Sequence, residues 1–219
     1  MKKIILTIFF AFFIVSISAC NAAKSDDKKS SEKYASETRN EFGFREVKAG
    51  NAVNLIISVQ KEFSITVEGE EGLLKDVKTE VKGETLVIST SGKISPTNKV
   101  RLKISMPELL NLELWGASEA TVTDIKNDSL KLQAGGTSKI KIDGETKSLE
   151  ATANGASTID AENLKTENSE ANTAGASEIM VSVSNELNAK ALGASTIYYV
   201  GEPKNVKQNV IGTSEIRKK

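Results

Sequence analysis

The stretch Gly155-Ala156-Ser157-Thr158-Ile159 decides the fold of this 219-residue chain, because close variants of it occur six times in the second half. Each copy reads Gly, then Ala or Thr, then Ser, one variable residue and an apolar residue. The glycines are spaced 20, 19, 20, 18 and 19 residues apart. A fixed period in this range predicts a solenoid, in which each repeat forms one coil stacked on the previous coil.

The residues around each copy alternate between apolar and polar, which indicates β-strands. A helical solenoid would need apolar residues three to four positions apart and good helix formers, whereas these segments are rich in Thr, Val, Ile, Ser and Gly. The sequence therefore predicts an all-β parallel β-helix with coils of about 19 residues. In the second copy the inward set is Leu130, Leu132, Ala134, Gly136, Ser138, Ile140 and Ile142, and the outward set is Lys131, Gln133, Lys139 and Lys141.

The glycine and serine of each copy are predicted to face inward at a corner that is too narrow for a large side chain. Glycine permits a bend and a close approach of backbones, and a buried serine needs a hydrogen-bond partner there. A catalytic role for the serines is the alternative, but it would need a base, and the chain contains no histidine. The predicted corner ladder consists of Gly116, Ser118, Gly136, Ser138, Gly155, Ser157, Gly175, Ser177, Gly193, Ser195, Gly212 and Ser214.

Residues 1–19 have the pattern of a lipoprotein signal peptide. Lys2 and Lys3 precede an apolar run, and Ile17-Ser18-Ala19-Cys20 resembles the lipobox of bacterial lipoproteins. The resemblance implies cleavage before Cys20 and acylation of this residue, and two or three acyl chains hold a protein stably on a membrane. A secreted protein without lipid is the alternative. Cys20 is the only cysteine, so no intramolecular disulfide is expected.

Two further segments complete the predicted domain organisation. Residues 20–41 combine the lipidated cysteine with a flexible tether, because Lys, Ser, Asp and Glu dominate them and little apolar surface can be buried. Residues 42–219 are predicted as a single β-solenoid domain, in which 42–106 form larger, irregular first coils. A separate small β-domain over 42–106 is the alternative.

The N-terminal part and the repeats together resemble a known family. The segments Phe44-Arg45-Glu46-Val47-Lys48-Ala49-Gly50-Asn51-Ala52-Val53, Val67-Glu68-Gly69-Glu70 and Leu86-Val87-Ile88, with the Gly-Ala-Ser coils, resemble the head GIN domain of auto-transporter adhesins, common in lipoproteins of the Bacteroidetes. The resemblance covers about residues 42 to 216. It implies a right-handed parallel β-helix at the cell envelope, and it supplies no catalytic residues.

Several function classes find little support in the residues. Lyases and hydrolases on β-helices gather charged residues on adjacent coils, but Asp124, Asp143 and Asp160 lie 8, 7 and 5 residues after their glycines and are not expected in one column. No metal site, cofactor or nucleic-acid partner is predicted, since the ligand patterns are missing and Lys plus Arg balance Asp plus Glu at 29 each. A carbohydrate-active enzyme stays the alternative to a binding module.

A binding or scaffolding role through the outer face of the β-helix is the favoured prediction. Outward apolar side chains often mark interfaces, although the N-terminal strands or a loop covering them is an equal alternative. The sequence does not identify the protein or glycan partner. The strand edge of the last coil is expected either to be protected from pairing by charged residues or to pair with another copy of the chain. Lipid anchoring predicts a location at the cell envelope. Asn21 rather than an aspartate follows Cys20, which favours the outer membrane, and both a periplasmic and a surface-exposed head stay open. The predicted contact patch is Trp115, Met180, Leu192, Tyr198 and Ile211.

Overall fold

The strands follow the two-residue alternation of the sequence through nearly all of the described chain, which comprises residues 33–91, 94 and 100–219 of a computed structural model. The predicted signal peptide, Cys20 and most of the predicted tether lie outside these residues. The elements are β1 (Tyr34–Arg39), β2 (Glu46–Ala49), β3 (Asn54–Ser58), β4 (Ser64–Glu70), α1 (Glu71–Leu74), β5 (Val77–Lys82), β6 (Thr85–Thr90), β7 (Arg101–Ser105), β8 (Asn111–Leu114), β9 (Glu119–Ala134), β10 (Lys139–Gly155), β11 (Thr158–Gly175), β12 (Glu178–Gly193), β13 (Thr196–Val200), β14 (Asn205–Gly212) and β15 (Glu215–Lys218).

Successive repeats pair as parallel strands in the register that the period predicts. Ile140 is paired with Ile159, and Ile159 is paired with Ile179, so equivalent residues of neighbouring coils lie side by side. All three side chains are buried in the core, which runs without interruption through the described coils. The predicted β-solenoid with coils of about 19 residues is confirmed.

Each coil has two walls that meet at the Gly-Ala-Ser corner. We call the strands that lead into the corner the entry wall: β5, β6, β2, β8, the second parts of β9 to β12, and β14. The strands that follow the corner form the exit wall: β4, β7, β3, the first parts of β9 to β12, β13 and β15. Inward side chains of both walls fill the core, and outward side chains form columns along the stack.

The order of the first coils differs from their order in the sequence. Strand β2 pairs with β6 on one side and β8 on the other, and β3 lies in the same way between β7 and β9. Strands β2 and β3 therefore lie between β6 and β7 on one side and the first Gly-Ala-Ser coil on the other. The expectation that each coil stacks on the previous one along the chain holds only from β8 onward.

Antiparallel strands close the end of the stack next to β6 and β7. Strand β4 pairs antiparallel with β7, β5 pairs antiparallel with β6, and the single turn α1 connects β4 to β5. Leu74 and Val77 of this segment are buried. An atypical terminal unit of this kind covers the apolar end of a solenoid core.

Part of the predicted tether belongs to this cap. Tyr34–Arg39 form β1, which pairs antiparallel with β4 over its full length, so the tether prediction is wrong for these residues. Arg39 also places Nη2 3.3 Å from the carbonyl oxygen of Leu74. Backbone pairing with the edge of β4 orders the strand, although its side chains are mostly polar and mostly exposed.

The corner glycines face outward, so the prediction that they face inward is wrong. All six are exposed and have φ between 75° and 92°, in the left-handed region that glycine adopts without strain. The corners stack closely: the Ala176 N–H donates to the Gly155 carbonyl oxygen at 2.7 Å. A Cβ atom at Gly175 would lie 2.7 Å from the same oxygen. Glycine is therefore required by both backbone conformation and the closeness of the neighbouring coil.

Replacement of Gly175 by Ala tests this explanation. We expect Gly175→Ala to lower the free energy of unfolding by about 1–3 kcal/mol, because the alanine must adopt positive φ and its Cβ meets backbone. Urea unfolding followed by circular dichroism measures the change. Gly50→Ala is the control, since its φ lies outside the left-handed region and no atom lies within 4 Å of the added Cβ; equal destabilisation by both substitutions would contradict the explanation.

Candidate functional site

The buried corner serines hydrogen-bond mainly to backbone carbonyl groups. Ser157 Oγ lies 2.9 Å from the carbonyl oxygen of Asn154 in its own coil and 3.0 Å from that of Ala134 in the preceding coil. Ser177 has the same two contacts at 3.2 and 2.9 Å. Among the described ladder serines, only Ser195 and Ser214 have their hydroxyl oxygens within hydrogen-bond distance of each other, at 3.3 Å. The hydroxyl groups thus satisfy backbone acceptors at the corner.

Trp115 lies on the outer face of the entry wall, immediately before the first corner. Its side chain is 42% exposed. The six-membered part of the ring occupies the space that a Cβ of Gly135 would fill one coil further on, and Gly135 is buried beneath it. A side chain at position 135 would displace the ring. Gly135 therefore allows the aromatic ring to lie against the sheet while part of it faces solvent.

Glu113 fixes the orientation of this ring. Its carboxylate oxygen Oε1 accepts a hydrogen bond from Trp115 Nε1 at 2.5 Å and one from Lys48 Nζ at 2.9 Å. Burial alone would raise the pKa of Glu113. The hydrogen bonds from Lys48 and Trp115, together with the positive charges of Lys48 and Lys131, outweigh this effect, so the pKa is lowered. The carboxylate therefore stays ionised to lower pH than an ordinary glutamate.

Neutral polar side chains follow Trp115 and Glu113 along the stack. Gln133, Thr152 and Asn172 succeed Glu113 in register on the next three coils, and Asn154 stands next to Thr152 near the corner. All four are partly exposed. Neighbouring strands are about 4.8 Å apart, so these amide and hydroxyl groups form a closely spaced set of donors and acceptors. We call Trp115, Gln133, Thr152, Asn154 and Asn172 the Trp115 platform.

Charged side chains on the outer faces are paired across coils. On the entry wall Lys131 Nζ lies 2.6 Å from Glu150 Oε1, beside the Trp115 platform. On the side of the stack that connects the exit wall of a coil to its entry wall, Lys147 Nζ lies 2.7 Å from Asp128 Oδ1. Such exposed pairs add little stability.

The five side chains of the predicted contact patch occupy two walls. Leu192 and Ile211 are neighbours in the same entry-wall column as Trp115, but three coils, at Gly135, Asn154 and Ala174, separate them from it. Met180 and Tyr198 are neighbours on the exit wall. The structure therefore brings together two pairs and leaves Trp115 apart from both.

The three aspartates considered for catalysis have local structural contacts. Asp143 Oδ1 accepts a hydrogen bond from the Asp124 backbone N–H at 3.1 Å, so these two residues lie on adjacent coils and are closer than their spacing suggested. Asp160 Oδ1 accepts one from the Glu162 N–H at 3.3 Å. In the described part of the chain, no group of three or more His, Cys, Asp or Glu side chains is placed to hold a metal ion.

Sequence reasoning missed the contacts that hold the Trp115 ring. The contact between Gly135 and the Trp115 ring could have been predicted, since Gly135 follows Trp115 by one repeat, at the outward position before Gly136. The partnership with Glu113 was also suggested by their separation of two residues, which places both side chains on one face of a strand. Lys48 could not be assigned, because its coil lies next to that of Glu113 only through the changed order of the first coils.

Comparison with known proteins identifies the family. The family described as putative auto-transporter adhesin, head GIN domain, matches residues 43–203, and the chain belongs to it. The resemblance noted from the sequence is thereby confirmed. A comparison with curated proteins gives no match. Within the described residues, no helix is both long and apolar enough to cross a membrane.

Solved structures show the same fold. The crystal structure of a putative adhesin from Bacteroides fragilis has a TM-score of 0.68 to this chain at 20% sequence identity, and the alignment covers 86% of this chain and 98% of that one. The structure of a putative adhesin from Parabacteroides distasonis has a TM-score of 0.50 at 17% sequence identity, and the alignment covers 86% of this chain and 98% of that one. At these identities the likeness establishes the fold.

Acid titration of Trp115 tests the contact with Glu113. Because the pKa of Glu113 is lowered, the stabilisation from its ionised form is present above the pKa of the unfolded chain and is lost as pH falls through the folded value. Trp115 is the only tryptophan, so its fluorescence should change with a midpoint below the usual glutamate value of about 4.3, while circular dichroism still reports folded protein. Glu113→Gln should abolish this step and Glu150→Gln should leave it; identical titrations of wild type and Glu113→Gln would contradict the assignment.

Proposed function

We propose that this protein is a lipid-anchored module of the cell envelope that binds its partner without chemical turnover, through the outer face of the entry wall. The observation that carries the proposal is the Trp115 ring, oriented by Glu113 and partly exposed beside a set of neutral polar groups. Buried or fixed aromatic rings with one free face commonly contribute to recognition surfaces. The description of the family as an adhesin supports the same role.

The chemistry of the Trp115 platform favours a glycan over an extended protein segment. The ring offers an apolar face for the C–H groups of a sugar, and the amides and hydroxyl of Gln133, Thr152 and Asn154 match its hydroxyl groups as donors and acceptors. The platform lies on a regular sheet, and its columns run along the stack, so it suits an extended chain better than a small compact ligand.

Anchoring through Cys20 would place this module at the envelope. Acylation at a lipobox cysteine is consistent with the pattern of residues 1–20, and the segment rich in lysine and serine that follows would separate the head from the lipid. We place the anchor on the outer membrane, and the adhesin label of the family supports a surface role.

Binding by whole cells and by the purified chain tests the proposal. Cells that produce the full chain are applied to an array of bacterial and host polysaccharides that includes polyuronides, and released products are measured on the same spots. We expect retention without product release, and a loss of at least about tenfold in apparent affinity for Trp115→Ala. Tyr198→Ala, on the exit wall, is the matched control and should bind like wild type.

A third variant separates anchoring from recognition. Cys20→Ser should abolish incorporation of labelled palmitate, and a chain of residues 20–219 with the same substitution, produced without the signal peptide, should keep its affinity for the same polysaccharide. Retention by no polysaccharide, equal binding by Trp115→Ala, or release of sugar products would each contradict the proposed function.

A further inference from the structure

The last coil leaves a strand edge unpaired at the end of the stack opposite the cap. Strand β14 (Asn205–Gly212) pairs with β12, and among the described strands it has no partner on its other side. All eight of its residues are exposed. Val206 and Val210 occupy the inward columns of Leu187 and Ala191, but they are 39% and 45% exposed because none of the described coils covers them.

The backbone groups on this free edge belong to alternate residues. In an earlier coil, Lys131 and Gly135 donate their N–H groups to the preceding coil, at 2.9 Å each. Their equivalents in β14, through the register of the intervening coils, are Lys207 and Ile211. Since N–H groups alternate in direction along a strand, those of Val206, Gln208 and Val210 point away from β12, toward the free edge.

The sequence of this edge is self-complementary about Gln208. Val206-Lys207-Gln208-Asn209-Val210 reads valine, polar, polar, polar, valine in both directions. Antiparallel pairing of two copies about a twofold axis at Gln208 places Val206 opposite Val210 of the second copy, on the inward face. It also places Lys207 opposite Asn209, so that like charges do not meet. A self-complementary patch is the requirement for a twofold symmetric interface.

We infer that two copies of this chain associate end to end through β14, paired antiparallel about Gln208. In this register the free N–H and C=O groups of Val206, Gln208 and Val210 face the corresponding groups of the second copy, and the exposed inward valines cover each other. Long, exposed edge strands are ready templates for such pairing unless charge or proline blocks them. The only charged residue in β14 is Lys207, whose Nζ lies 2.8 Å from Glu186 of its own copy.

The edge lies at the far end of the domain from the point where the chain enters it. Strand β1 belongs to the cap, and β14 belongs to the opposite end of the stack. An end-to-end dimer therefore leaves both chain entry points, and the Trp115 platform of each copy, away from the shared interface. This inference is separate from the proposed glycan binding and does not depend on it.

Sedimentation equilibrium of residues 20–219 with Cys20→Ser, the mature chain without signal peptide and acyl chains, tests the inference. The weight-average mass should rise from monomer toward dimer between concentrations on the order of micromolar and millimolar. Gln208→Pro removes only an N–H that points to the free edge, so it should keep the monomer folded by circular dichroism and abolish the rise in mass. Gln208→Ala keeps the N–H and should still dimerise. A monomer at all concentrations, or association by Gln208→Pro equal to that of wild type, would overturn the inference.

Oxidative crosslinking tests the register. Gln208→Cys places two cysteines directly opposite each other at a Cα separation of about 5.5 Å, within the range for a disulfide. Asn209→Cys places the two cysteines diagonally at more than about 7 Å, where a disulfide does not form without movement of the backbone. Covalent dimer should form with Gln208→Cys alone; equal yields from both variants would overturn the proposed register.

Discussion

The close stacking of the corner residues is the constraint on which the rest of the structure depends. The carbonyl oxygen of each corner glycine except the last, Gly212, accepts a hydrogen bond from the N–H that follows the next corner glycine, as at Gly155 and Ala176. The left-handed backbone conformation aims these groups along the stack and brings consecutive corners too close for a Cβ. Because every corner is held in this way, the strands on both sides pair in register, and equivalent inward side chains meet in the core. Asn51, with φ of 73°, occupies the same position in the coil of β2 and β3.

This constraint also organises the outer surface. Residues at the same distance from successive corners form straight columns, so a single aromatic residue and the polar residues of the following coils are placed together although they are far apart in sequence. Trp115, Gln133 and Thr152 are brought into one surface by this stacking alone. The same rule leaves β14 with an ordered row of unpaired backbone groups at the end of the stack.

The repeat determined what was predictable from the sequence. The period and the alternation around Ile140, Ile159 and Ile179 were sufficient for the strands, their register and the buried serines. The two-residue alternation alone placed the corner glycines on the inward face, which is wrong. A residue with positive φ interrupts the alternation, so the corner glycine faces outward. The inversion of the first two coils could not be predicted, since nothing in the local pattern of Val47 or Leu86 specifies which coil lies outermost. The cap strand β1 was missed because backbone pairing, and not an apolar pattern, orders it.

Distances between spin labels along one column test the stacking order most directly. The column Arg101, Asn54, Glu119, Lys139, Thr158, Glu178, Thr196 and Glu215 runs the length of the exit wall. Electron–electron double resonance from a label at Glu215 should give about 29 Å to a label at Asn54 and about 34 Å to one at Arg101, at about 4.8 Å per coil. A longer distance to Asn54 than to Arg101 would contradict the interleaved stack, and distances that do not increase with the number of coils would contradict the solenoid itself.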